Sequence, residues 1–341
     1  MAALLAAVVA AATACTAATA AGGQAAHCRP TTYRVTVPGS GPGQLTGDRC
    51  VPAHPNGTTL LLVAGGGENA DYWNMPGFAS YSLVRAAVRS GYTTLALDRL
   101  GTGRSSMPRS TAVTYAAHVL TVHQVATALR RQGADRVVGV GHSLGAGVLT
   151  GVAARYPKDM TALVLTGYGS AVSAVTPQHN KLYQRPAADV DSAKWGSLDD
   201  GYVTVVPSGV PDDGLLYLPG ATEAALTAVE THQGTLSRTE LATRPQGRAA
   251  TAQGAALRLP LLLLDGRFDE HYCTVNALHE PPRTGPRCAT EQAFGQYGRA
   301  FFPHADLTTA LVPDAGHALE LQTNAPATND RVLDWISAHP T

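Results

Sequence analysis

The sequence predicts an α/β fold whose mostly parallel sheet is covered by helices on both faces. Short, continuous apolar runs, such as "TTLLLVAGGG" at residues 58–67, stop in glycines, as strands buried on both faces do. Segments with helical spacing separate these runs, and this alternation is the pattern of strand–helix–strand units. Ligands of such sheets bind at the carboxyl ends of the strands, so functional residues are expected there.

Each predicted element rests on a local pattern. The first strand alternates polar and apolar residues, and a Gly/Pro-rich turn leads to a second strand that ends near Cys50. The first strand is predicted at residues 31–38. Further strands are predicted at residues 58–64, 93–98, 136–141, 161–167, 259–266 and 307–312. Helices are predicted at residues 78–92, 115–132, 143–156, 290–301 and 329–339.

The regular alternation stops between residues 170 and 258. This segment contains weakly helical stretches with many Pro, Gly and Asp residues, and the strand–helix pattern resumes at residue 259. The 341 residues are enough for one large α/β domain with such an insertion. We therefore expect a core made of residues 27–169 and 259–341, interrupted by residues 170–258.

The charge pattern argues against nucleic-acid binding. The chain has 25 basic and 25 acidic residues, so its formal net charge is zero. No cluster of Lys and Arg forms a basic face that could follow a phosphate backbone.

Residues 1–26 are typical of a secretory signal peptide, because a short apolar centre without charged residues is followed by small residues. A membrane-spanning helix is one alternative, although Ala and Thr are weak membrane residues over about 20 positions. Cys15 offers another, a lipid anchor at the cell surface, although Ala12 stands where a branched apolar residue is usual. We expect a secreted protein with no stable membrane span after signal removal.

Four cysteines remain in the expected mature chain, and an even number in an exported protein predicts two disulfides. Three pairings are possible, and the most economical joins neighbours in the sequence, Cys28–Cys50 and Cys273–Cys288. Free buried thiols are the alternative. No pair has the CxxC spacing of a zinc site.

The segment Gly141-His142-Ser143-Leu144-Gly145 has the pattern G-x-S-x-G. It lies between a strand pattern and a helix pattern, which is the context of a nucleophile elbow. Small residues flank the serine because larger side chains would collide with neighbouring backbone in so sharp a turn. A Gly/Ser turn without chemistry is the alternative.

This pattern in its context resembles the α/β-hydrolase superfamily, and the resemblance covers nearly all of the chain after about residue 30. It implies the chain order nucleophile, acid, histidine, and a cap (lid) at residues 170–258. Ser143 is then the nucleophile and Asp269, in "GRFD", the acid, with Asp265 as the alternative. His317, in "AGHALEL", is the histidine. The alternative bases are His271 and His304.

The resemblance also implies an oxyanion hole made by the N–H groups of Gly66 and Leu144. Family members often have His-Gly where this chain has Ala64-Gly65, a departure that affects the loop but leaves the donor in place. Three neighbouring residues are candidates for substrate binding, with packing or support of the turn as the alternative: Tyr72, Trp73 and His142. Two residues of the "DRLGTGRSS" loop are expected to stabilise that loop: Asp98 and Arg99.

These residues predict a secreted, monomeric serine hydrolase of esterase or lipase type that needs no metal or organic cofactor. Its expected substrate is a small-molecule or lipid-like carboxylic ester, cleaved through an acyl-enzyme. The same triad could instead serve acyl transfer, lactone formation or cyclisation, or amide cleavage. A non-catalytic binding protein on this fold is a further alternative.

Overall fold

The computed structural model describes residues 27–205, 215–274 and 283–340. The predicted signal peptide at residues 1–26, together with Cys15, lies outside these ranges. In the described part of the chain, no helix combines the length and the apolar character needed to cross a bilayer.

Strands and helices alternate through most of the described chain. The strands are β1 (His27–Val37), β2 (Gly41–Val51), β3 (Thr58–Val63), β4 (Thr93–Leu97), β5 (Arg136–His142), β6 (Ala162–Thr166), β7 (Gln184–Pro186), β8 (Tyr202–Val205), β9 (Leu236–Ser237), β10 (Pro260–Gly266) and β11 (Asp306–Val312). The helices are α1 (Leu83–Arg89), α2 (Tyr115–Arg131), α3 (Leu144–Arg155), α4 (Val175–Tyr183), α5 (Ala187–Val190), α6 (Ser192–Trp195), α7 (Glu223–Thr231), α8 (Arg238–Thr243), α9 (Arg248–Gly254), α10 (Glu291–Phe301) and α11 (Ala325–Ala338).

Within the described residues, eight strands form the central sheet, in the order β1-β2-β4-β3-β5-β6-β10-β11. All pairs from β4 to β11 along this order are parallel, whereas β1, β2 and β4 pair antiparallel. The predicted α/β class with a mostly parallel sheet is confirmed.

The central strands are apolar throughout because both faces of the sheet are covered. In β3, Leu61 and Val63 belong to a core cluster with residues of α2, α3 and α10. The alternate residues Leu60 and Leu62 belong to a second cluster with residues of α1 and α11. Side chains alternate between the faces of a strand, so one strand contributes to two cores.

Two helices differ from their predicted bounds for local reasons. Helix α1 begins at Leu83 rather than near residue 78, because the Ser82 hydroxyl accepts a hydrogen bond from the Arg85 N–H and caps the helix there. Helix α11 begins at Ala325 rather than near residue 329. Pro326 lies in its first turn, where a missing N–H costs no helical hydrogen bond.

Both sequence-local disulfides are present, Cys28–Cys50 and Cys273–Cys288. Cys28 and Cys50 lie directly opposite each other in the β1–β2 ladder. Cys273 and Cys288 are both buried beside the loop that follows β10. Two such bridges are consistent with an extracellular protein.

The segment 170–258 does not continue the central sheet. Its described residues form the short helices α4–α9 and the antiparallel sheet β7-β8-β9. Leu236 of β9 lies near Gly66 and Gly67, which follow the end of β3. The segment therefore approaches the edge of the sheet at which the predicted site residues lie.

Candidate active site

Ser143 occupies a strained turn between β5 and α3. Its backbone has φ 50° and ψ −117°, a conformation that side-chain-bearing residues rarely adopt. The flanking glycines are required by space, because a Cβ on Gly145 would lie 2.1 Å from the Val63 carbonyl oxygen. A Cβ on Gly141 would lie 2.7 Å from the Ala146 nitrogen.

His317 lies between Ser143 and Asp269. Its Nε2 is 2.9 Å from Ser143 Oγ, and its Nδ1 is 2.7 Å from Asp269 Oδ2. These three residues come from the ends of β5 and β10 and from the loop after β11, so parallel strands bring them to one edge. The chain of hydrogen bonds has the geometry needed to remove a proton from the serine hydroxyl.

Asp269, rather than Asp265, contacts the histidine. Its Oδ1 accepts hydrogen bonds from the N–H groups of His271 (2.6 Å) and Tyr272 (3.1 Å). Burial alone would raise the pKa of Asp269, but the His317 charge and hydrogen bonds from His317 and Asp265 lower it below its usual value. Asp269 is therefore a carboxylate that can orient the imidazole.

Asp265 lies behind this carboxylate at the end of β10. Burial raises its pKa well above the usual value, and the negative charge of Asp269 raises it further. Burial and the Asp269 charge thus favour the uncharged form of Asp265, which stands behind the acid and does not replace it.

Gly66 and Leu144 are neighbours at the site. A Cβ on Gly66 would lie 3.5 Å from Leu144 Cδ2. Leu144 is the first residue of α3, and the first N–H groups of a helix have no partner within that helix. Both residues are therefore placed next to Ser143 with the backbone donors that an oxyanion hole requires.

Arg99 holds the loop that contains Gly66. Its guanidinium is 1% exposed and donates to the carbonyl oxygens of Ala64 (3.1 Å) and Gly65 (2.8 Å). The same group forms an ion pair with Glu240 of α8, at 2.7 Å. These contacts of Arg99 are with the loop that follows β3, not within the "DRLGTGRSS" loop for which the role was expected, and they tie the Gly66 loop to the inserted segment.

Sequence reasoning missed Glu240. The pattern Ser-x-x-Glu at residues 237–240 could have predicted the capping box that begins α8. It could not have predicted the ion pair with Arg99, which is 141 positions away. His118 completes the cluster, with its Nε2 2.5 Å from Glu240 Oε2. Burial lowers the pKa of His118, so a neutral imidazole donates this bond.

His142 and Tyr72 form the wall next to the serine. Their rings stack with centroids 4.6 Å apart, and His142 Nδ1 is 3.1 Å from Thr166 Oγ1. Burial lowers the pKa of His142 well below its usual value, and the His317 charge lowers it further. His142 therefore both supports the turn and lines the cavity as a neutral ring.

Trp73 does not line this cavity. It is 1% exposed and packs edge-on against Tyr72 within the core cluster that also contains α1. Its large apolar ring is buried under the loop, so packing is the observed role and substrate contact is not. The alternative base His304 is exposed outside the cavity, whereas His271 lies beside His317 with ring centroids 4.5 Å apart.

Ser143 and His317 open into a cavity whose empty space, with the open solvent at its mouth, is about 980 Å³. Its wall is mainly apolar, with Met75, Leu215, Val229, Leu236 and Leu241 among its residues.

Glu68 is an acid in this cavity that sequence reasoning also missed. Its Oε2 accepts a 2.6 Å hydrogen bond from the Gly65 N–H, and its Oε1 lies 3.6 Å from His142 Nε2. Burial raises the pKa of Glu68 to about 7. The residues described here include no group of three or more His, Cys, Asp or Glu side chains arranged to hold a metal ion.

Known structures share this fold. A thermophilic esterase from Thermogutta terrifontis superposes with a TM-score of 0.60 at 16% identity, covering 91% of this chain and all of that one. A carboxylesterase from Bacillus subtilis has a TM-score of 0.54 at 16% identity, with 90% and 92% covered. A peroxisomal α/β-hydrolase from Saccharomyces cerevisiae has a TM-score of 0.59 at 13% identity, with 92% and 89% covered.

Sequence comparison finds relatives as well. Uncharacterized proteins of Mycobacterium tuberculosis and Mycobacterium bovis are 32% identical over 120 residues, which is 35% of this chain. The match spans about a third of those relatives, 32% of their length. A model of the alpha/beta hydrolase family matches residues 60–330, most of the chain. The chain therefore belongs to the alpha/beta hydrolase family.

Proposed function

We propose that the protein is a secreted serine hydrolase that cleaves carboxylic esters through an acyl-enzyme on Ser143. The observation that carries the proposal is the line of contacts from Ser143 Oγ through His317 to Asp269, at 2.9 and 2.7 Å. The strained backbone of Ser143 supports it, since strain of this kind concentrates at functional residues.

In the first half of the reaction, Ser143 Oγ attacks the ester carbonyl carbon while His317 Nε2 takes the hydroxyl proton. The carbonyl oxygen becomes an oxyanion that accepts hydrogen bonds from the N–H groups of Gly66 and Leu144. The carbon–oxygen bond to the alcohol then breaks, and the alcohol leaves with the proton from His317. Asp269 stabilises the imidazolium in between.

In the second half, a water molecule attacks the acyl-enzyme and gives one proton to His317. The second oxyanion collapses, the bond to Ser143 Oγ breaks, and His317 returns the proton to the serine. The carboxylic acid leaves, so the net reaction is hydrolysis of one ester bond. Residues 170–258 serve as the cap in this proposal, because Val229, Leu236 and Leu241 contribute to the cavity wall.

Export is part of the proposal, and the protein acts as a monomer on a small-molecule or lipid-like ester. The two disulfides support an oxidising compartment. Mass spectrometry of protein from the culture medium tests it: the chain should start within or soon after residues 15–26. A lipid on Cys15 would place the protein at the cell surface instead.

Activity-based labelling tests the chemistry. A fluorophosphonate should form an adduct on Ser143, and 4-nitrophenyl esters should be hydrolysed. Ser143→Ala and His317→Ala should each abolish turnover with folding retained. The matched changes Ser192→Ala and His304→Ala, at exposed positions, should leave it intact. Labelling of another residue, or normal turnover by Ser143→Ala, would refute the proposal.

A further inference from the structure

Arg244 is a cation without a partner in the wall of the active-site cavity. It follows α8, and among the described residues its guanidinium takes part in no ion pair and no hydrogen bond. Its Nε is buried and lacks an acceptor. A buried donor that has lost its water without gaining an acceptor is unfavourable unless a ligand supplies one.

Other arginines of the same region are paired. Arg99 bonds two carbonyl oxygens and Glu240, and Arg104 bonds both oxygens of Asp48 at 2.9 Å. The Nε atoms of Arg49 and Arg136 are also buried without an acceptor, but neither residue lines the active-site cavity, so the location distinguishes Arg244. An unpaired donor in a cavity indicates a binding role more than a structural one.

The location connects Arg244 with the reacting serine. The main cavity continues into a smaller side cavity, and Arg244 lines both of them together with Ser143 and Leu144. Tyr272 and Val172 also belong to both walls. A molecule bound at Ser143 can therefore extend a second group toward the guanidinium.

The charges around the cavity favour an anion for that second group. The Asp269 carboxylate is already bonded to His317, and Glu240 is bonded to Arg99. Burial raises the pKa of Glu68 to about 7, so below neutral pH this side chain is mostly uncharged. A planar guanidinium matches a carboxylate through two parallel hydrogen bonds, and the surrounding apolar wall strengthens such a bond.

We propose that Arg244 binds a carboxylate group of the substrate, so that the preferred esters carry a free carboxylate on the acyl or the alcohol half. This inference rests on the proposed ester hydrolysis for its reaction, and it adds the substrate class. Dicarboxylic acid monoesters and esters of hydroxy-acids are the corresponding compounds.

Matched ester pairs test the inference. One pair is the mono(4-nitrophenyl) ester of adipate and its terminal carboxamide; the other is 4-acetoxybenzoate and 4-acetoxybenzamide. The kcat/KM ratio of carboxylate to carboxamide, divided by the ratio of uncatalysed rates, should exceed about tenfold in at least one pair. A ratio near one in both pairs overturns the inference.

Variants assign the preference to this side chain. Arg244→Gln should lower that ratio by about tenfold or more, and Arg244→Lys should retain part of it, since Lys keeps the charge but loses the two-pronged geometry. The control Arg238→Gln removes an exposed charge from α8, the helix that Arg244 follows, and should keep the wild-type ratio. An unchanged ratio in Arg244→Gln overturns the inference.

A binding measurement separates this inference from the proposed function. Calorimetry with Ser143→Ala protein should detect tighter binding of the carboxylate ester than of its carboxamide in the preferred pair. The additional change Arg244→Gln should remove the difference. Equal binding overturns the role of Arg244 even if esters are hydrolysed. If the carboxylate ester binds more tightly but neither turnover nor fluorophosphonate labelling is seen, the binding role of Arg244 is supported and the proposed ester hydrolysis is refuted.

Discussion

The Arg99 guanidinium and the Glu240 carboxylate form a fully buried ion pair at 2.7 Å, each side chain being 1% exposed. Arg99 also holds the carbonyl oxygens of Ala64 and Gly65, immediately before Gly66. The pair therefore links the proposed oxyanion loop to α8 in the inserted segment. Movement of α8 would change the position of the loop, so Glu240 is a positioning residue.

Glu240→Gln should lower both stability and turnover. The change leaves the buried charge of Arg99 without its counter-charge, which costs about 3–5 kcal/mol in similar sites. Displacement of the oxyanion donors should reduce kcat by about 10–100-fold with a smaller effect on KM. Urea unfolding and steady-state kinetics measure the two effects, with exposed Glu223→Gln as control. A variant that loses stability but keeps its kcat would show that Glu240 is only structural.

The two buried aspartates after β10 should differ sharply in mutagenesis. Asp269→Asn removes the acceptor for His317 Nδ1 and should lower kcat by about 10⁴-fold, as the wrong tautomer is then stabilised. Asp265 makes no contact with His317, and burial and the Asp269 charge raise its pKa toward the uncharged form, so Asp265→Asn should cost no more than about tenfold. Single-turnover kinetics with a 4-nitrophenyl ester measures both. Equal losses would mean that the two aspartates share the role.

The fold was predictable because its signals are local. Strands such as β3 and β10 are buried on both faces and so are apolar throughout, which distinguishes them from the amphipathic helices beside them. Residues 170–258 carry no comparable signal. The helices and strands among their described residues are short, and some of them pack on the core, as Leu236 does against Gly66.

The candidate site likewise contains residues with a local sequence signal and residues without one. Ser143 lies in a short pattern that requires glycine for steric reasons, and His317 lies in a Gly-His pattern that the family resemblance picks out, so both could be found from the sequence. No local pattern reveals the partner of Glu240 or the place of Arg244 in the cavity wall. The role of Glu240 depends on Arg99, which is 141 positions away in the sequence. The role of Arg244 depends on the cavity that forms only when the chain folds.

Glu68 should impose a pH dependence on catalysis. Burial raises its pKa to about 7, so the side chain becomes negative as the pH rises through neutrality. Its Oε2 accepts the Gly65 N–H next to the proposed oxyanion hole, where a second negative charge is unfavourable. Glu68→Gln should therefore gain activity relative to wild type, by severalfold, between pH 6 and pH 8. A pH profile of kcat/KM for both proteins measures this ratio.

The control for this profile is Glu230→Gln. It changes an exposed glutamate of residues 170–258, the segment that also contributes to the cavity wall. Its profile should follow wild type at every pH. A constant ratio of Glu68→Gln to wild type across the range would show that the Glu68 charge does not act on the transition state.

Glu320 should make the folded protein less stable at alkaline pH. Burial raises its pKa from the ordinary 4.5 to about 8, although bonds from Asn329 and Leu83 oppose the shift. The folded state thus holds a proton that the unfolded chain has released, and stability falls as the pH rises from about 4.5 to about 8. This one group contributes a slope of up to about 1.4 kcal/mol per pH unit. Glu320→Gln removes the titrating carboxyl group. The free energy of unfolding, measured in urea, should therefore fall less between pH 5 and pH 8.5 in this variant than in wild type. An equal fall in the two proteins would contradict a protonated Glu320.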